Sequence, residues 1–314
     1  MKLQKYLAHA GLCSRRKAEE YIANGLVMVN GETAHIGQVI DPEKDEISIN
    51  NQVIKDQEKL VYYIFNKPRG IVTTCLSGHP DEKGIMDVID FPERVFPIGR
   101  LDKETTGLIL LTNDGRLSNF LIHPRYEHQK EYLVEVYGKI EDEALEKMRR
   151  GVKIELKENS RNKRTENLPP KMYRTKPCLI ERLSAGKFSI VLEEGKNRQI
   201  RRMVAAVGHD IKRLKRVRIE NIKLGNLGEG EARPLTSSEK NTLFLGLIWQ
   251  IFLKNNSKFS KYEIDFFAFL ERYQKYFIAS IRDFCDSGAH SNARILCVVQ
   301  YCSVMESIRE YTKY

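Results

Sequence analysis

Asp102 stands in Gly99-Arg100-Leu101-Asp102-Lys103-Glu104-Thr105-Thr106-Gly107, a polar loop between two apolar runs, Val95 to Ile98 and Leu108 to Leu111. The bracketing glycines permit the backbone angles that a sharp reversal needs. An aspartate held there, with Arg100 and Lys103 beside it, can be fixed, ionised and presented to a substrate. A loop aspartate is also an ordinary turn-former, and spacing alone does not choose between the two. A second concentration of chemistry lies downstream. Lys196, Arg198, Arg201, Arg202, Lys212, Arg213, Lys215, Arg216 and Arg218 follow one another with a single acid, Asp210, among them. So dense a run of one sign favours a polyanion, whose backbone rewards it through counterion release.

The elements that must hold these residues can be read from pattern. Residues 1–58 form a small module. Leu3, Tyr6, Leu7 and Ala10 have helical spacing that Gly11 can end, and Ser14 can cap a second helix carrying Ala18, Tyr21 and Ile22 up to Gly25. Val27 and Val29 lead into Asn30-Gly31, a strong hairpin signal, with short strands expected through Ile36, Val39, Ile47 and Ile49. After a polar link, Val61 to Phe65 begins a strand that Pro68 must bend or end, with Ile71 to Thr74 continuing beyond it. Glu131 to Val136 and Phe188 to Leu192 read as strands, Asp142 to Arg150 and Asn197 to Val207 as helices, and Lys157 to Lys176 as an exposed loop. On a helix starting near Asn197, Arg198, Arg201 and Arg202 share a face, so at least one can reach the Asp102 loop.

Four separated strings carry a resemblance: Asn66-Lys67-Pro68-Arg69-Gly70, the Asp102 loop continuing to Asp114-Gly115, Lys130-Glu131-Tyr132-Leu133-Val134, and Gly195-Lys196-Asn197-Arg198-Gln199-Ile200-Arg201-Arg202-Met203. In this order they resemble the RNA pseudouridine synthases that modify ribosomal RNA, the large-subunit (23S) enzymes looking closest. The leading module, through Cys13-Ser14-Arg15-Arg16-Lys17-Ala18-Glu19 and Val29-Asn30-Gly31, resembles the αL-type RNA-binding module of a ribosomal small-subunit protein and of tyrosyl-tRNA synthetases. The resemblance implies an α+β chain: that module, then a catalytic domain over 60–243 on a mixed, mainly antiparallel sheet. It implies that Asp102 is the catalytic carboxylate, attacking covalently or taking a proton from the sugar. Arg201 matches the cation that favours its ionised form, with Arg198 as second choice. Tyr132 matches the family's active-site tyrosine, a surface on which an extruded base can stack. Arg100, Leu101 and Ile200 would line the pocket. Lys2, Lys5, Arg15, Arg16, Lys17, Lys67, Arg69, Lys196, Arg198 and Arg202 would contact RNA, Lys67 and Arg69 alternatively supporting the sheet.

The isomerisation moves a bond from N1 to C5 with no redox change, so neither cofactor nor metal is expected. The seven histidines are dispersed, and the six cysteines show no CxxC pair, as suits free thiols in a reducing cytoplasm. The basic N-terminus has no apolar signal core, and the longest apolar run, Leu243 to Leu253, is too short to cross a bilayer. The expected partner is ribosomal RNA, free or in an assembling subunit, met by a cytoplasmic monomer without membrane contact. Residues 244–314 change character, holding over half of the aromatics and helical spacing at Phe266, Phe269, Leu270, Tyr273 and Phe277. They read as a helical extension of unknown role. A synthase for small-subunit (16S) or transfer RNA is the rival reading within the family. A non-catalytic RNA-binding assembly factor is the rival outside it, disfavoured by the joint presence of Asp102, Tyr132 and Arg201.

Overall fold

Ser14 shows how local sequence sets the first element boundary. Its hydroxyl accepts from the Lys17 amide at 3.1 Å and starts α2 (Arg15–Ala23), while Gly11, at φ 77°, ends the turn after α1 (Leu3–His9). The computed structural model describes residues 1–54, 59–75, 82–156 and 171–244. The extension beyond residue 244 and most of the tract from Lys157 lie outside them. Asn30 and Gly31 both take positive φ, 54° and 82°, which turns β1 (Val27–Val29) onto β2 (Glu32–Thr33). β3 (Ile47–Ile49) and β4 (Gln52–Val53) complete a sheet of order β2-β1-β3-β4. Leu3, Leu7, Ala18, Ile22, Val27 and Ile47 close its core. Ile36 and Val39, expected on strands, are exposed instead. Gly37 takes φ 85° and the Gln38 side chain accepts from the His35 amide, so the chain turns there, with one isolated bridge from Val39 to Lys2.

The larger region begins with β5 (Tyr62–Lys67), β6 (Phe96–Ile98) and β7 (Thr106–Thr112), continues through α3 (Gly115–Ile122) to β8 (Lys130–Val136), then α4 (Asp142–Arg149), and β9 (Lys153–Leu156), which pairs with β10 (Lys171–Arg174) in a two-stranded sheet of its own. β11 (Leu179–Ser184), β12 (Lys187–Leu192), α5 (Gln199–Ala206), β13 (Ile211–Ile219), β14 (Ile222–Lys223) and β15 (Ala232–Pro234) follow. The strand order is β11-β12-β8-β13-β7-β5-β15, with β14 on β13 and β6 on β7. Every pairing among these strands is antiparallel except β13 with β7, so the sheet is mixed and mainly antiparallel. The run Leu108 to Leu111 is buried throughout, as a central strand covered on both faces must be. α4 and α5 cover one part of the sheet, Leu145, Met148, Ile200, Met203 and Val204 packing on Val134, Val136, Phe188, Ile190 and Leu214. Phe65, Ile71, Ile85, Val95, Ile109 and Leu111 form a second core. The Arg94 guanidinium donates to the Cys13 carbonyl at 2.6 Å and ties the module to this region.

Two local expectations need correction. Ile71 to Thr74 is not a strand: β5 ends at Lys67 because Pro68 has no amide to donate, Gly70 turns at φ 85°, and the chain passes under the Asp102 loop. Within the expected loop Lys157 to Lys176, Lys171–Arg174 is a strand, because pairing with β9 lets Tyr173 pack on the core. Residues 237–244 are helical, and Phe244 meets the Tyr62 ring edge-on at 5.6 Å.

Candidate active site

The Asp102 loop leaves β6 at Gly99 (φ 76°) and enters β7 at Gly107 (φ 102°). Its turn closes through the Thr105 amide donating to the Asp102 carbonyl at 3.0 Å. A Cβ on Gly107 would stand 2.2 Å from the Arg216 carbonyl oxygen, so only glycine lets β7 lie this close to β13. The segment after β5 lies against the loop. The Lys67 ammonium donates to the carbonyls of Pro68 (2.9 Å), Ile71 (2.7 Å) and Lys103 (3.4 Å), and the Gly70 amide reaches the Lys103 carbonyl at 2.9 Å. Thr73 bonds to Leu101.

Two arginines from the start of α5 face the Asp102 carboxylate. Arg198 Nη1 is 3.6 Å and Arg201 Nε 3.9 Å from Oδ2. Arg201 is the more enclosed of the two, and its Nη2 donates to the Glu104 carbonyl (3.2 Å) and the Thr105 hydroxyl (3.3 Å). Burial, then the like charge of Arg198, pulls the Arg201 guanidinium below its ordinary pKa, against the opposing pull of Asp102. Arg198 caps α5 with left-handed backbone, φ 52°. The turn that leads to it is pinned by buried Gln199, whose side chain accepts from the Lys196 amide at 3.0 Å and donates to Glu194 at 2.7 Å. Arg202 departs from the shared face. It donates to the Glu155 carbonyl and to Asn197 Oδ1, away from Asp102.

Tyr132 is half-buried on β8, in register with Ile190 of β12 and Arg216 of β13. Arg216 is 3% exposed and lies with its guanidinium carbon 6.0 Å from the Tyr132 ring centroid. Its Nε donates to the Leu108 carbonyl at 2.7 Å, whereas Nη2 is buried without a hydrogen-bond partner among the described residues. Lys130, two positions before Tyr132, is pushed down to about 8 by burial and by Arg216. Ile200 and Leu101 are buried and Arg100 is exposed.

The basic residues divide. Lys2, Arg15, Arg16, Lys17 and Lys196 are exposed, Lys5 partly so, and Lys17 pairs with Glu20 at 2.8 Å. Arg69 is exposed and pairs with Glu104 at 2.6 Å, holding that carboxyl below its usual range. Lys67 cannot contact RNA. It is 0% exposed, and burial lowers its ammonium to about 8. Only its other expected role, supporting the sheet, is compatible with that position.

Residues 61–206 match the family model described as RNA pseudouridylate synthase, and residues 1–47 match the S4 domain. The dual-specificity RNA pseudouridine synthase RluF of Escherichia coli (strain K12) is 40% identical over 246 residues, 78% of this chain and 78% of that protein. The chain belongs to the RNA pseudouridine synthase family. Ribosomal large subunit pseudouridine synthase B of Bacillus subtilis (strain 168) is 39% identical over 252 residues, 77% of this chain and 95% of the relative. A crystal structure of a pseudouridylate synthase superposes with a TM-score of 0.53 at 30% identity, covering 77% of this chain and 99% of its own. The synthase is thus an S4 domain followed by an α+β isomerase fold. Among its described residues no helix is long and apolar enough to cross a membrane.

Two residues that touch these candidates escape pattern reading. Arg216 counts in the sequence only as one more cation of a basic run, and the register of β13 alone sets it beside Tyr132. Thr73 sits among β-branched residues that read as a strand. The signal available for it was Pro68, which forces the chain out of the sheet just before.

Proposed function

We propose that this synthase converts uridine to pseudouridine in ribosomal RNA, in the large subunit, with Asp102 starting the chemistry. The observation that carries the reading is the Asp102 carboxylate held within 4 Å of two guanidiniums, Arg198 and Arg201, on a loop that faces the α5 N-terminus. The two guanidiniums give an electrostatic counterpart to the carboxylate whose attack at C1′, or removal of a sugar proton, starts the reaction. The C1′–N1 bond breaks, the uracil turns over, and C1′ bonds to C5 as the carboxylate leaves C1′ or the sugar proton is returned. The C5 proton is then lost, and N1 gains one. Tyr132 offers the extruded base its stacking surface, with Ile200 as apolar wall beside it. Exposed Arg15, Arg16 and Lys17 on the S4 domain, with Lys2, Lys5, Arg69 and Lys196, supply backbone contacts. The choice of the large subunit is supported by the Bacillus subtilis relative, a ribosomal large subunit pseudouridine synthase.

Asp102→Asn tests the reading. Shape and affinity for RNA should hold, while tritium release from 5-labelled uridine in ribosomal RNA falls by at least about 10³-fold. Appreciable turnover by that variant refutes the role of Asp102. Modification maps of ribosomal RNA from wild-type and deletion strains decide the subunit.

A further inference from the structure

Asp102 meets its two arginines at 3.6 and 3.9 Å, too far for hydrogen bonds that would aim the carboxylate. Its direction must therefore come from the backbone, and the backbone on both sides of it is held by one segment. On the C-terminal side, the Lys103 carbonyl accepts from the Gly70 amide at 2.9 Å and from Lys67 Nζ at 3.4 Å. On the N-terminal side a single atom makes both bonds. The Thr73 hydroxyl donates to the Leu101 carbonyl at 2.7 Å and accepts from the Leu101 amide at 3.1 Å. Thr73 is 8% exposed, and Leu101 is buried as well. Leu101 lies past the end of β6 and has no strand partner, so these two bonds replace the ladder it lacks.

We propose that Thr73 is a positioning residue for the isomerisation: its hydroxyl clamps both backbone groups of Leu101 and so fixes where the Asp102 carboxylate stands relative to the sugar. The inference rests on the assignment of Asp102 above. Thr73→Val keeps the shape and removes the hydroxyl, leaving a buried amide and carbonyl without their partner. A loop freed by about 1 Å is enough to cost about 10²-fold in rate.

The experiment measures single-turnover tritium release at saturating enzyme, alongside RNA affinity. Thr73→Val should lose about 10²-fold in rate with affinity within about twofold, and Thr73→Ser, which keeps the hydroxyl, should stay within about threefold of wild type. Thr112→Val is the control for stability. The Thr112 hydroxyl also donates and accepts, to the Val61 carbonyl at 2.6 Å and from the Asp114 amide at 3.0 Å, but at the far end of β7. Its loss should lower the melting temperature without changing the rate. A Thr73→Val rate within threefold of wild type overturns the clamp. So does a Thr73→Ser loss as deep as that of Thr73→Val, or an equal loss in Thr112→Val. Should Thr73→Val fail to fold, Thr73→Cys, whose thiol is a weak donor, takes its place with an expected loss of about tenfold, and an unchanged rate refutes the proposal. Asp102→Asn in the same assay separates the two claims. If it is inactive while Thr73→Val is normal, only the clamp fails, and if it turns over, the Asp102 assignment fails.

Discussion

Gly107→Ala should damage this synthase more than any torsional argument alone allows. Gly107 has φ 102°, where an L-residue is strained by about 1–2 kcal/mol. The added Cβ would also stand 2.2 Å from the Arg216 carbonyl oxygen, 2.8 Å from its nitrogen and 3.0 Å from its carbonyl carbon. Those atoms are backbone of the neighbouring strand and cannot rotate away. Relief requires β7 and β13 to separate by about 1 Å at the pair Arg216↔Gly107, an overpacking strain of about 1–3 kcal/mol. The total is about 2–5 kcal/mol of folding stability. Gly99→Ala is the matched control, with φ 76° and nothing within 4 Å of the new atom, so it should cost only the torsional part. Urea unfolding of both variants reads the two quantities, and their difference measures the close approach of the strands. A Gly107→Ala loss no larger than that of Gly99→Ala would refute the reasoning.

The buried Lys67 ammonium gives stability a pH dependence. Its folded value of about 8 lies below the 10.5 of the unfolded chain, so between them the unfolded state binds the extra proton and stability rises with pH. From pH 7.5 to 9.5 this contributes about 1–2 kcal/mol, and Lys67→Met should show a smaller rise in urea unfolding, part remaining through Lys130. An undiminished rise in Lys67→Met would show that Lys67 is not the group responsible. Neutralising Arg15, Arg16 and Lys17 together should weaken RNA binding and flatten its dependence on salt by up to about 0.7–0.9 per lost phosphate contact. Single-turnover rates at saturating enzyme should change much less, and their collapse would place the S4 domain inside the active site.

What was legible in the sequence was local. The Ser14 cap, the Asn30-Gly31 turn and the Asp102 loop each follow from neighbours within a few residues, and all three stand where pattern placed them. Arg201 was singled out by its place in the family-like string, since helical spacing says only that one of Arg198, Arg201 and Arg202 can reach the loop. Arg198 stands 3.6 Å from Asp102, but from left-handed backbone ahead of α5, where helical periodicity does not apply, whereas Arg202, inside the helix, leaves the shared face for Asn197 and the Glu155 carbonyl. Lys67 could be read either as gripping RNA or as supporting the sheet, and its position on β5 with three nearby carbonyls buries it and leaves the second. The strand at Lys171–Arg174 was hidden in a polar tract because its partner, not its composition, makes it a strand. Nothing local foretells that β13 inserts between β7 and β8, and that insertion sets Arg216 beside Tyr132.

The same insertion governs when the enzyme can first exist during translation. Strands β5 to β7 carry Asp102 and strands β8 to β12 carry Tyr132, but the two groups pair only through β13 at Ile211–Ile219. Until those residues leave the ribosome, the nascent chain holds two unjoined sheet fragments with β7 and β8 as open edges. At about 5–20 residues per second the gap between β7 and β13 lasts roughly ten seconds. By the end of that interval both edges are templates for mispairing, and the chain contains all of its family-matched residues without a joined sheet. A sheet that joins the Asp102 and Tyr132 strands is therefore withheld from incomplete chains by strand order alone.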